Sequence, residues 1–131
     1  MAFNAGSQGT ISNQGDGEAI ASACLSTLVA CSSGGITVLF IWKFHPNGGK
    51  WSLSRIINGC LAGMVSVCAG CDLYYPWIAS MIGAISGILY VAISLLMVKL
   101  KIDDPLDAVA VHAGSGKIDI KKNFFLMQHC Q

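Results

Sequence analysis

The residue in this sequence best suited to chemistry is a histidine in apolar surroundings. His112 is flanked by Val109, Ala110, Val111, Ala113 and Gly114, with no acid beside it to pair with. A neutral imidazole in such a place can donate one hydrogen bond and accept another, as the lining of a narrow polar path requires. The other reading is a histidine bonded to a neighbouring carbonyl, with no further part to play. Asp103, Asp104 and Asp107 lie just before it. They read as a helix start rather than as paired catalytic acids. Asp104 can cap, Pro105 suits the first helical position, and Asp107 falls in the first turn, where the helix dipole favours an acid. The spacing predicts a helix from about Pro105, with His112 roughly eight residues or ~12 Å along it.

Cysteines are the other candidates. Cys68-Ala-Gly-Cys71 has a metal or disulfide spacing, and His129 and Cys130 follow much later. Yet Cys24, Cys31, Cys60, Cys68 and Cys71 all lie within or beside apolar, uncharged runs, where cysteine serves as a small packing residue. No metal site and no cofactor are expected. There is no nucleophile and base pair and no phosphate loop, so no enzyme is expected either. A formal charge of +1 leaves no basic face for a nucleic-acid partner.

The elements that must position His112 are apolar. Hydrophobic residues make up 53% of the chain and charged ones 11%, against roughly a quarter charged in soluble domains. That balance suits lipid. The N-terminus has no basic lead into a short apolar stretch and does not read as a cleaved signal peptide. Three charge-poor stretches read as membrane spans. Ala19 to Trp42 is long enough to cross a core of roughly 30 Å. The second runs from Leu53 or Ile56 to Cys71 and is rich in small residues; its Gly59 and Gly63 have the GxxxG spacing that lets backbones approach. The third, Leu73 to Val98, carries a second such pair, Gly83 and Gly87, with Tyr74, Tyr75 and Trp77 as interfacial anchors at its start.

Lys43, Lys50 and Arg55 lie between the first two spans and Lys99 and Lys101 after the third, whereas no base precedes Ala19 or surrounds Asp72. The positive-inside rule therefore places the Lys43 to Arg55 loop and the Lys99 to Asp104 segment in the cytoplasm. The loop itself, His45-Pro-Asn-Gly-Gly-Lys, is a turn sequence.

Several motifs, in order and spacing, resemble the later half of the ammonium transporter (Amt/Mep/Rh) family. They are Phe3-Asn-Ala-Gly-Ser7, Asn58-Gly-Cys-Leu-Ala-Gly63, Ala69-Gly-Cys-Asp72 with Pro76-Trp77, and Asp103-Asp-Pro with Ala108-Val-Ala-Val-His112. The resemblance covers about Phe3 to Gly114. It implies an all-α membrane fold, about three transmembrane helices plus the start of a further one, cut from an eleven-helix channel-like fold that forms trimers with one pore per subunit. By the same resemblance His112 is the second of the family's paired pore histidines, which conduct ammonia through a hydrophobic channel. Phe3 is one of two stacked phenylalanines gating the outer mouth, Ser7 is the hydroxyl that recruits ammonium there, and Asp104 is a structural acid on the cytoplasmic side. The implied partners are ammonium or ammonia and the lipid bilayer, and the implied location is the plasma membrane, as a multi-pass protein.

The first five helices of that family have no counterpart in this chain, so His112 is expected to lack its histidine partner here. Beyond Gly116, Lys117, Asp119, Lys121 and Lys122 would each cost ~2.5 to 3.5 kcal/mol at a bilayer centre. The chain is thus expected to divide into a partial transporter domain, 1–116, and a divergent polar tail, 117–131, as a truncated piece insufficient for transport alone. The competing function is a non-transporting membrane fragment that associates with full-length transporter subunits.

Overall fold

A computed structural model describes residues 2–7, 9–45 and 52–116. The turn from Pro46 to Lys50 and the polar tail lie outside the described residues. Four α-helices follow one another: α1 Ala2–Gly6, α2 Asp16–Phe44, α3 Leu53–Val65 and α4 Pro76–Lys99. A 3-10 turn, Cys68–Gly70, separates α3 from α4, and a π-helical turn, Ala110–Gly114, follows α4. No strand occurs among the described residues, so the architecture is the all-α one expected from the apolar stretches and the family resemblance.

Helices α2 and α4, of 29 and 24 residues and each holding an 18-residue stretch of mean hydropathy 1.9 and 2.3 respectively, are long and apolar enough to cross a membrane. Helix α2 extends the expected span at both ends. The added residues suit its dipole, with Asp16 and Glu18 in the first turn and Lys43 in the last. Helix α4 opens with Pro76 at its first position, where the missing N–H costs nothing.

The second expected span is not one continuous helix. Helix α3 stops at Val65, after 13 residues, or ~20 Å at 1.5 Å per residue. At this end Ser66 Oγ turns back to donate to the Gly63 carbonyl at 2.8 Å. Local hydroxyl-to-backbone bonds of this kind compete with helix continuation. The chain then tightens into the 3-10 turn, and the Gly70 carbonyl accepts the amides of both Leu73 and Tyr74.

The three long helices meet at a waist of glycines. A Cβ on Gly34 of α2 would lie 2.6 Å from the Gly59 carbonyl oxygen and 3.3 Å from that of Gly83, and one on Gly63 would strike the Ala30 carbonyl. One on Gly83 would strike the same carbonyl and Ser33 Oγ, and one on Gly87 would come within 2.8 Å of the Gly34 oxygen. Both GxxxG pairs therefore face α2. On either side of the waist lies an apolar cluster. Ala30, Val67, Tyr74, Ala79 and Ile82 form the one toward the Asp72 end. Val38, Ala62, Tyr90, Val91, Ala110 and Val111 form the one toward the Lys99 end.

Small residues lie inside and large apolar ones outside. Ala23, Ser26, Thr27, Ala30, Gly34 and Gly35 are buried along α2, while Leu25, Leu28, Ile36 and Phe40 are exposed. A soluble domain would bury the large side chains. Lipid removes that drive, and close backbone packing takes its place. At the end of α2 the Arg55 guanidinium sits 3.7 Å over the Trp42 ring, a cation–π contact that links α2 to α3 across the connecting loop.

Candidate functional site

From Lys99 the chain does not run straight into a helix. Lys101 adopts a left-handed φ of 56°, and the segment climbs beside α4 to a turn in which the Asp107 amide donates to the Asp104 carbonyl at 3.0 Å. Pro105 and Leu106 occupy that turn. This corrects the expected helix start at Pro105. The first helical bond runs from the Val111 amide to the Asp107 carbonyl, 2.9 Å, and Asp107 has a left-handed φ of 53°, which a continuing helix does not allow.

Asp104 nevertheless reaches the helix end. Its Oδ1 accepts the Ala108 amide at 3.1 Å and its Oδ2 the Val109 amide at 2.8 Å, so one carboxylate satisfies two of the orphan donors of a helix start. Asp107 turns its carboxylate the other way. Tyr90 Oη donates to Oδ2 at 2.9 Å and Ser94 Oγ to Oδ1 at 3.1 Å. Asn58 of α3 joins them, its Nδ2 donating to the Leu106 carbonyl at 3.3 Å and lying 3.4 Å from Tyr90 Oη.

At the far end of the π turn, Ser115 Oγ is hydrogen-bonded to Ser86 Oγ at 2.8 Å, and Ser86 donates to the Ala62 carbonyl at 2.8 Å. Gly114 makes this approach possible, since a Cβ there would lie 2.5 Å from Ile93 Cδ1. Ser86, Tyr90 and Ser94 are spaced four apart on one face of α4, which is how a helix aligns neighbours. Sequence reasoning missed this stripe; polar residues at i, i+4 and i+8 within an apolar run were its signal.

His112 lies between these anchors, within the π turn. Asp107 is level with Tyr90 and Ser94, and Ser115 with Ser86. At 1.5 Å per residue His112 therefore sits roughly 8 to 20 Å from the Lys99 end of α4, near the middle of a span. The depth expected from a helix starting at Pro105 is reached instead by the climbing segment. Ala110, Val111 and Gly114 pack inward, and the His112 side chain is exposed on the outside of the bundle, with no side-chain hydrogen bond to another described residue.

Phe3 and Ser7 belong to the opposite end. Phe3 is 76% exposed, and Ser7 Oγ donates to the Phe3 carbonyl at 2.9 Å. Between them Asn4 is buried, its Nδ2 donating to Thr27 Oγ1 at 3.0 Å. Cys71 Sγ reaches the Asn4 carbonyl at 3.7 Å. A cavity of about 200 Å³ opens here, lined by Asn4, Ser7, Ala19, Ala23, Cys68, Cys71 and Asp72. The structure thus does not bring Phe3 or Ser7 together with His112. Cys68 Sγ bonds the Met64 carbonyl at 3.3 Å, and no group of three His, Cys, Asp or Glu among the described residues is placed to hold a metal ion.

The family model of the Ammonium Transporter Family matches residues 1–127, past Gly116 into the polar tail. Over 116 residues the chain is 46% identical to "Putative ammonium transporter 1" of Caenorhabditis elegans, covering 88% of this chain and 21% of that protein. It is 33% identical over 122 residues to "Ammonium transporter 1 member 2" of Oryza sativa subsp. japonica, covering 87% of this chain and 24% of that one. To "Ammonium transporter 1 member 3" of Solanum lycopersicum it is 31% identical over 106 residues, 81% and 23% of the two chains. The chain spans between a fifth and a quarter of the length of these relatives.

Proposed function

Because the chain belongs to the ammonium transporter family, we propose that it forms one wall of a membrane path for ammonium or ammonia, and that His112 lines that path. The observation that carries this reading is the position of His112. It is exposed at mid-span on the outside of the bundle, on a turn tied to α4 on both sides by Asp107 and Ser115. An ionisable group at that depth is costly against lipid and usually faces a polar path.

Ammonia is a small molecule that both donates and accepts hydrogen bonds, and so is a neutral imidazole. The helices around the site would penalise a bare cation while letting the neutral molecule pass from one hydrogen-bonding group to the next. The facing group must come from outside this bundle. Phe3 and Ser7, at the other end, form part of the outer mouth, where a hydroxyl and an aromatic face attract a small cation. The Lys43 and Lys99 ends face the cytoplasm, the membrane is the plasma membrane, and the complete assembly is a trimer.

The test is growth of cells that lack their own ammonium transporters, with low ammonium as sole nitrogen source. The cells express this chain, a copy of the Caenorhabditis elegans relative with the matched region deleted, or both. Growth is expected only with both polypeptides, and is expected to be lost with His112→Ala. Growth that persists with His112→Ala, or no growth with both polypeptides in the membrane, would overturn the proposal.

A further inference from the structure

The turn that presents His112 is anchored by two contacts to α4, and the earlier one falls on a residue that the proposed path does not otherwise use. Asp107 is not needed to cap the helix it begins, because Asp104 already accepts the amides of Ala108 and Val109. Its carboxylate is engaged across the bundle instead. Both oxygens are taken, Oδ2 by Tyr90 Oη at 2.9 Å and Oδ1 by Ser94 Oγ at 3.1 Å. Its backbone sits at φ 53°, in the left-handed region where Asp and Asn are tolerated better than most residues. The carbonyl of the same residue accepts the Val111 amide at 2.9 Å and opens the helix.

One residue therefore ties the first helical bond of the His112 turn to two side chains of α4. A π turn carries an extra residue per turn, so the direction of a side chain within it depends on where the turn starts. Ser115, bonded to Ser86, holds the other end. We propose that Asp107 is a positioning residue for His112: its carboxylate, gripped by Tyr90 and Ser94, sets the height and rotation at which the π turn presents the imidazole. The consequence for transport rests on the path-lining reading of His112; the positioning itself is measurable without transport.

The experiment is nuclear magnetic resonance of the whole chain, labelled with ¹⁵N in its histidine rings and held in phosphatidylcholine nanodiscs. A His112→Ala sample identifies the His112 signals. Asp107→Gly keeps the left-handed backbone accessible and removes the carboxylate. Asp107→Asn keeps the backbone preference and one acceptor oxygen. The double variant Tyr90→Phe/Ser94→Ala keeps Asp107 and removes both of its donors. One set of His112 ring signals is expected for the unmodified chain. Asp107→Gly and the double variant are expected to shift and split it, with His45 signals and helical circular dichroism unchanged, and Asp107→Asn to restore a single set.

His112 signals superimposable on those of the unmodified chain in Asp107→Gly and in the double variant would overturn the proposal. If Asp107→Gly does not insert, the double variant decides alone. A spectrum that depends on Asp107, in a chain whose growth test fails, would refute the transport reading and leave the positioning intact.

Discussion

At the scale of single residues, two aspartates three positions apart do different work. Asp104 closes the helix start by taking two amides, and Asp107 fastens that start to α4. Losing a side-chain cap costs about 0.5–2 kcal/mol, so Asp104→Ala is expected to lower by about that much the stability of the chain in detergent, read by sodium dodecyl sulfate titration. Asp103→Ala, at an exposed residue with no side-chain bond among those described, is expected to leave it unchanged. His112→Ala removes an exposed side chain, which predicts unaltered stability and helical circular dichroism; a clear loss of either would mean that the imidazole is a packing residue.

At the scale of elements, the bundle depends on the absence of side chains where α2 crosses α3 and α4. Gly63 and Gly83 both face the Ala30 carbonyl, and neither has room for a Cβ. Gly63→Leu or Gly83→Leu is expected to separate the helices and cost several kcal/mol, at or above the roughly 1–3 kcal/mol typical of overpacking, seen as loss of a protease-resistant bundle. Gly17→Ala, where a Cβ meets nothing within 4 Å, is the control that should change little. Both GxxxG pairs and all three apolar stretches were legible in the sequence, because small residues at a spacing of four and long uncharged runs are local signals. The end of α3 at Val65 was not, since Ser66 and the Gly70 turn act through bonds that composition does not reveal. From sequence alone the Asp104 to Asp107 segment reads as a helix start in the right neighbourhood but three residues early. A proline suits a turn as well as a first helical position, and the left-handed backbone of Asp107 is supported by Tyr90 and Ser94, far away in sequence. His112 stood out in the sequence, but the α4 stripe that holds its turn did not, because Ser86, Tyr90 and Ser94 are spread through the most apolar run of the chain.

At the scale of the whole molecule, large apolar side chains cover the outside of the bundle, and among the described residues His112, at mid-span, lies exposed among them. Such a surface is complete only against lipid or further helices, and a chain matching about a fifth of its relatives' length leaves ample protein to supply them. The role proposed for His112 is to line an ammonium path completed by those helices. Its most direct test uses purified components, so that no other carrier contributes: uptake of radiolabelled methylammonium into lipid vesicles holding this chain together with the Caenorhabditis elegans relative lacking the matched region. Uptake is expected to require both polypeptides and to fall at least about tenfold with His112→Ala, a barrier increase of ~1.4 kcal/mol. Equal uptake with and without the imidazole, or full uptake by this chain alone, would contradict it.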